Sequence, residues 1–184
     1  MTTTMQLSAN HRRVVRLCDN ENLPQVSIEL LEPEKIPRIR ESLIKHGVTI
    51  EASAGGILSK ILPAPAEHTR IRKLVFVTNA DLGLPNGAKL YETTRRVTSE
   101  GFVKCALEVA VHLCIPMEIG KQVPHFPNLH EVEVLSLAVD GPDCINRFIL
   151  SRVMQDGRAT LKGSMGSNNV WRPGNSWFAV CRPW

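Results

Sequence analysis

From Glu131 to its last residues the chain repeats one pattern, a short run of apolar residues followed by residues that turn a backbone, and this commits that part to antiparallel sheet. Glu131 to Val139 carries Val132 and Val134 in one alternating phase and Leu135, Leu137 and Val139 in the other, which predicts a bulge or burial on both faces. Gly141-Pro142-Asp143 turns the chain, Ile145 to Met154 reads as the next strand, and Asp156-Gly157 is a strong hairpin dipeptide. Arg158 to Gly163 then alternates with Ala159 and Leu161 inward. Ser164 to Asn169 reads as a polar, glycine-rich loop, Arg172-Pro173-Gly174-Asn175 as a turn, and Trp177 to Arg182 as the closing strand.

What precedes this region is predominantly helical. Leu74 to Thr78 has the β-branched content of a strand, and Asn79 to Gly87 holds enough Gly, Pro and Asn to make a loop. Ala88 to Ser99 reads as a helix closed by Gly101, with Leu90, Tyr91, Thr94 and Val97 on one face. A second helix is predicted from Val103 to Cys114, ending at Pro116, and its apolar residues surround most of its circumference, the mark of a buried helix. Further upstream, Glu34 to His46 has Pro37 in its first turn, Ile36, Ile39, Leu43 and Ile44 at helical spacing, and Gly47 as a C-cap. Val48 to Ala52 reads as a short strand broken by Ala54-Gly55-Gly56, and Leu62-Pro63-Ala64-Pro65-Ala66 as a linker. The expected architecture is α+β. A domain over residues 70–184 has helices followed by an antiparallel β-meander, joined by a linker at 63–69 to a small helical and strand appendage at 1–62.

Composition narrows the function classes. The chain has 184 residues, with 22 Lys and Arg against 18 Asp and Glu, a formal charge of +4 that is small for a nucleic-acid footprint. Its basic groups, Arg12, Arg13 and Arg16, then Arg70, Arg72 and Lys73, then Lys89, Arg95 and Arg96, read as solvated faces, so nucleic acid is disfavoured as a partner. Five cysteines at long spacings, with no Cys-x-x-Cys and no apolar leader, fit a reducing cytoplasm. The longest apolar stretch, Phe102 to Met117, is interrupted by Lys104, Glu108 and His112 and falls short of the ~20 apolar residues of a membrane span. Gly163 to Asn169 lacks a following Gly-Lys-Ser or Gly-Lys-Thr, and Gly83 to Gly87 lacks the dinucleotide spacing, so no cofactor is expected.

Two constellations remain. On the predicted second helix Cys105, Glu108 and His112 stand at i, i+3 and i+7 and share a face, where thiol, carboxylate and imidazole form a candidate catalytic group. The competing reading is a small buried cysteine beside a Glu–His pair one turn apart. A metal site there needs a third ligand, from His125 or His130, and none is expected. The second constellation is the tryptophan-rich end. Trp171, Trp177 and Trp184 fall in the last residues, and Trp171, Arg172, Trp177 and Asn168 form a candidate ligand-binding set. Core packing competes for the tryptophans. With no complete catalytic motif present, the leading expectation is a non-catalytic binding protein for a protein or small-molecule ligand, homo-oligomerisation remaining open. A small hydrolase or transferase centred on Cys105, Glu108 and His112 is the alternative, and weak nucleic-acid binding the third.

Three stretches carry a family resemblance: Val75 to Ala88, Glu100 to Val109, and Trp171 to Pro183. Through them the segment from Leu74 to Pro183 resembles a family of uncharacterised bacterial proteins with a strand leading into a Leu-Gly loop, helices, an acidic turn, a hairpin and a closing Trp-rich strand. It departs from that pattern at Ala106, where proline often follows the cysteine, and at Leu137-Ala138-Val139, where a Met-Glu-Pro run closes the strand. The resemblance implies a domain boundary near residue 70 and draws attention to Cys105 and Glu108 without implying an activity.

Overall fold

The computed structural model describes residues 16–29, 39–58, 71–106, 108–119, 131–136, 145–152, 159–166 and 169–183. Its elements are a 3-10 turn (Leu17–Asp19), β1 (Gln25–Glu29), α1 (Ile39–Lys45), β2 (Thr49–Ile50), α2 (Ala52–Leu58), β3 (Ile71–Thr78), β4 (Ala88–Lys89) and α3 (Leu90–Ser99). They continue with α4 (Glu108–Ile119), β5 (Glu131–Val134), β6 (Ile145–Arg152), β7 (Ala159–Gly166), β8 (Trp171–Arg172) and β9 (Trp177–Cys181). Seven strands form one mixed sheet in the order β1-β3-β9-β5-β6-β7-β2, and β4 and β8 form a separate two-stranded ribbon. The fold class is α+β.

The centre of the sheet is buried on both faces, and the sequence of β3 shows why. Leu74, Val75, Phe76 and Val77 form an unbroken apolar run, which a strand tolerates only when both of its faces are covered. Leu74 and Phe76 join one core with Val132, Val134, Ala179 and Cys181 of the sheet, Val109, Ala110, Val111 and Leu113 of α4, and Leu43, Ala54 and Ile57 of α1 and α2. Val75 and Val77 join the opposite core with Phe178, Val180, Leu135, Leu90 and Val97, the last two from α3. Each fully buried Leu or Phe in these layers contributes on the order of 1.5–3 kcal/mol relative to exposure.

Several expectations change. β5, β6 and β7 follow one another antiparallel, as a meander should, but β9 does not extend that series. It inserts between β3 and β5, antiparallel to the first and parallel to the second. The region taken as an N-terminal appendage shares the main sheet and core: β1 pairs with β3 from Gln25↔Val75 to Glu29↔Ile71, and β2 lies parallel to β7. The expected linker at 63–69, the first turn of the Glu34–His46 helix, and the turns at 141–143 and 156–157 lie outside the described residues. β7 runs through Gly166, past the point where a loop was expected to begin.

Two helices differ from the sequence pattern for identifiable reasons. The second buried helix starts at Glu108 and continues through Pro116 to Ile119, whereas Val103 and Cys105 are extended and form single bridges to Cys181 and Ser136. The apolar run from 102 onward therefore covers two structures, and periodicity alone could not divide it. Pro116 removes one helical N–H without ending α4. On α3 the buried residues are Leu90, Thr93 and Val97, while Tyr91 is 44% exposed.

Ala54-Gly55-Gly56, read as a break, lies inside α2. Propensity opposes this helix; Ala54 and Ile57 bury against the sheet and outweigh it, and the Glu51 amide donates to the Leu161 carbonyl just before it. The contact is close enough to require glycine on the other side. A Cβ at Gly163 of β7 would meet the Ser53 backbone at 2.5 Å, and the Gly163 amide donates to Ser53 Oγ at 3.0 Å. Gly163→Ala is therefore expected to lower stability by roughly 1–3 kcal/mol through overpacking. Gly55→Ala, whose Cβ would meet nothing within 4 Å, is expected to raise it by about 0.4–1 kcal/mol. Urea unfolding of the two variants measures both, and equal effects at the two sites would contradict this account of α2.

Candidate functional site

The helical triad is divided by the backbone. Glu108 opens α4 and His112 follows one turn later, both buried, at 4% and 6% exposure. Cys105 is not on that helix. It sits on the extended segment before it, fully buried, with its amide donating to the Leu135 carbonyl at 2.7 Å. Its thiol points at β9, donating to the Ala179 carbonyl at 3.6 Å and lying 3.3 Å from the Cys181 thiol. The hydrogen bond with Cys181, then burial, push the Cys105 thiol well above its ordinary value, which opposes the thiolate that a nucleophilic cysteine needs. The three residues thus share the α4 side of the sheet without forming the expected i, i+3, i+7 face.

On the opposite side of the sheet, the loops after β3 and before β9 are locked together by one side chain. Asn79, fully buried, donates from Nδ2 to the carbonyls of Arg172 and Pro173 at 3.1 and 3.0 Å, and its Oδ1 accepts from Thr93 Oγ1 at 2.7 Å. It joins the end of β3, helix α3 and the turn after β8. The Ala80 amide donates to the Gly174 carbonyl at 2.9 Å, and a Cβ at Gly174 would collide with the Pro85 carbonyl, so the two loops meet backbone to backbone. Thr78 caps the near end, exchanging bonds of 2.7–3.1 Å with Asp81.

This locked frame presents β4 and β8. Lys89 and Trp171 are direct cross-strand partners and both are exposed, Trp171 at 54%. Arg172, the next residue, turns inward instead. Its Nε donates to Glu133 Oε2 at 2.7 Å, and the Glu133 side chain is only 5% exposed. Glu133 lies between Val132 and Val134, which face the α4 core, so its side chain emerges on the α3 side of the sheet. An ion pair this buried gives the ribbon a fixed geometry.

The expected ligand set is accordingly spread out. Trp171 and Arg172 share the ribbon, with only the first facing solvent. Trp177 is half-buried and packs against the α4 core, on the other side of the sheet. Asn168 and Trp184 lie outside the described residues. Glu108 and Trp171 likewise occupy opposite sides of the sheet. Asn79, Thr93 and Glu133, which build the frame, were not singled out from sequence. A lone carboxylate in the apolar run Val132-Glu133-Val134-Leu135 was the available signal for the last of them.

Among the described residues no group of three or more His, Cys, Asp or Glu is placed to hold a metal ion. No helix there is long and apolar enough to cross a membrane.

Burial has a measurable consequence at His112. It lowers the imidazole from 6.5 to about 4, so the folded protein holds this residue neutral where the unfolded chain protonates it. The stability tied to its neutral form is fully present above pH 6.5 and is lost as pH falls toward 4. Between pH 7.5 and 4.5 the wild type is expected to lose roughly 2–3 kcal/mol more than His112→Gln, compared by urea unfolding at each pH. Parallel pH profiles for the two proteins would show that His112 is not buried as described.

No protein-family model, curated protein or solved structure matches the chain.

Proposed function

We propose that the chain is a non-catalytic binding protein, cytoplasmic and of bacterial type, which takes a protein partner on the face of the β4–β8 ribbon. The observation that carries this reading is Trp171, an exposed tryptophan held on a rigid frame rather than on a loose loop. Aromatic anchors of this kind dominate interface energetics because they bring large area with few rotatable bonds, and a pre-ordered backbone reduces the entropy lost on binding. The Arg172–Glu133 pair, the Asn79 bonds and the contact of Gly174 with the Pro85 backbone supply that order. Lys89, directly across the ribbon, sets a cation beside the indole and favours a partner segment that carries a carboxylate next to an apolar side chain.

A photo-crosslinking residue placed at position 171, and for contrast at Ile44 on α1, tests the reading. Ile44 is an exposed apolar side chain on that helix, at 60% exposure, and belongs to the other side of the sheet. A discrete partner is expected at 171 and not at 44. With that partner purified, Trp171→Ala is expected to weaken binding about 30-fold, the equivalent of about 2 kcal/mol, with unfolding unchanged within about 0.5 kcal/mol. Capture at position 44 alone or at neither site, or an affinity unaffected by Trp171→Ala, overturns the proposal.

A further inference from the structure

The α4 core contains a feature that ribbon binding does not use. Cys105 and Cys181 are separated by 76 residues in sequence, yet their sulfurs lie 3.3 Å apart. The pair is set by the backbone: Val103 and Cys181 exchange both of their amide bonds, at 2.9 and 3.0 Å, so Cys105, two residues on, leans diagonally across to the end of β9. Disulfide sulfurs stand about 2.05 Å apart, and the remaining approach is within the reach of side-chain rotation and a small backbone shift.

Burial limits how such a pair reacts, and the local structure supplies the route. Cys105 is fully buried and Cys181 is 5% exposed, so neither meets a reagent in the closed state. Among the described residues, the segment carrying Cys105 is held to the sheet by two isolated bridges, and Val103, Lys104 and Ala106 on it are exposed. Cys181 itself pairs with Leu74 of β3, and Arg182 holds that end of β9, so the segment at 103–106 is the part that opens. Segments with few ladder bonds open at lower free-energy cost than the core they cover. Lifting this segment off β9 uncovers both sulfurs while β3, β9 and β5 keep their pairing.

We propose that Cys105 and Cys181 form a redox-convertible pair that closes to an intramolecular disulfide by exchange with a small-molecule disulfide of the glutathione class. The Cys181 thiol, the less buried of the two, loses its proton and attacks one sulfur of the reagent, breaking its S–S bond and releasing one thiolate. The Cys105 thiol then loses its proton and attacks the Cys181 sulfur of the mixed disulfide, expelling the second reagent thiolate. The protein gives up two electrons and two protons, and the reagent leaves as two thiols. The hydrogen bond and burial that hold the Cys105 thiol protonated in the closed state fit its role as the second sulfur to act. Closure ties the entry to α4 to the C-terminal strand across a long loop, which restricts the unfolded chain and stabilises the oxidised form.

The test uses the whole wild-type chain, so it does not depend on a variant folding. Native protein is incubated with oxidised glutathione well below its unfolding temperature, its remaining thiols are blocked, and disulfide-linked peptides are mapped by mass spectrometry. The expected product is a Cys105–Cys181 linkage holding most of both residues, with Tm raised by several degrees and restored by dithiothreitol. Cys181→Ala is expected to lose the linkage and the Tm shift together, and Cys105→Ala to stop at a glutathione adduct on Cys181. Linkages confined to Cys18, Cys114 or Cys144, a Cys105–Cys181 peptide found only after denaturation, or an unchanged Tm in protein carrying the linkage overturns the proposal.

Discussion

The pairing of β3 with β9 is the constraint on which the other elements rest. It joins Leu74 to Cys181 and Thr78 to Trp177, residues far apart in the chain. β9 is also the strand through which β3 and β5 belong to one sheet, antiparallel to the first and parallel to the second. Its alternation, with Ala179 and Cys181 toward α4 and Phe178 and Val180 toward α3, supplies both cores at once. A one-residue slip would exchange these sets and bury each against the wrong layer. The register is extended past the strand by Arg182, whose amide donates to the Lys73 carbonyl while its guanidinium binds the carbonyls of Cys18 and Asn20 and the Glu21 carboxylate. The described N-terminal and C-terminal segments are thereby tied to one another as well as to the sheet.

The two sides of this sheet are built from different chemistry. The α4 side is a wide apolar layer to which α1, α2 and α4 all contribute; there the hydrogen bond with Cys181 and burial hold the Cys105 thiol protonated, and burial holds the His112 imidazole neutral. The α3 side has a smaller apolar layer bordered by polar locks: Asn79 between Thr93 and two carbonyls, Glu133 on Arg172, and Arg96 on the Leu82 carbonyl and Glu100. Apolar layers tolerate substitution at nearly constant volume, whereas buried polar networks require particular partners at particular distances. Precise loop placement is therefore concentrated on the α3 side, around the ribbon that carries Trp171.

Much of the architecture was legible because its elements agree with their own sequence pattern. β3 and β9 read as strands from β-branched and aromatic content, α3 from its spacing and closing glycine, and β7 from the inward phase of Ala159 and Leu161, all of which are buried. The failures share a physical cause. α2 is a poor helix by propensity that forms because Ala54 and Ile57 bury against the sheet, and β1 is a short strand whose pairing partner lies far along the chain, whereas β2 falls within the strand read at 48–52. Tertiary burial decides such segments, and no local window contains it. The ribbon site was half legible. Trp171 and Arg172 were identifiable as an aromatic beside a cation, but the inward turn of Arg172 depends on Glu133, and the frame depends on Asn79, each distant in sequence.

The boundary between Cys105 and Glu108 shows how a small backbone difference redirects chemistry. Were 103–106 helical, the thiol would lie one turn from a carboxylate and two turns from an imidazole, the composition of an acid–base group. Because those residues are extended, the same thiol projects across to β9 and meets another thiol instead. The residue types are unchanged, yet the reaction that the position can support passes from proton transfer to two-electron exchange. What makes the segment extended is the edge that β9 offers it: the Val103 and Cys181 amides satisfy one another, and the Cys105 amide finds the Leu135 carbonyl, bonds that a helix begun earlier would forgo. The chemistry of Cys105 is thus set by the insertion of the last strand between β3 and β5.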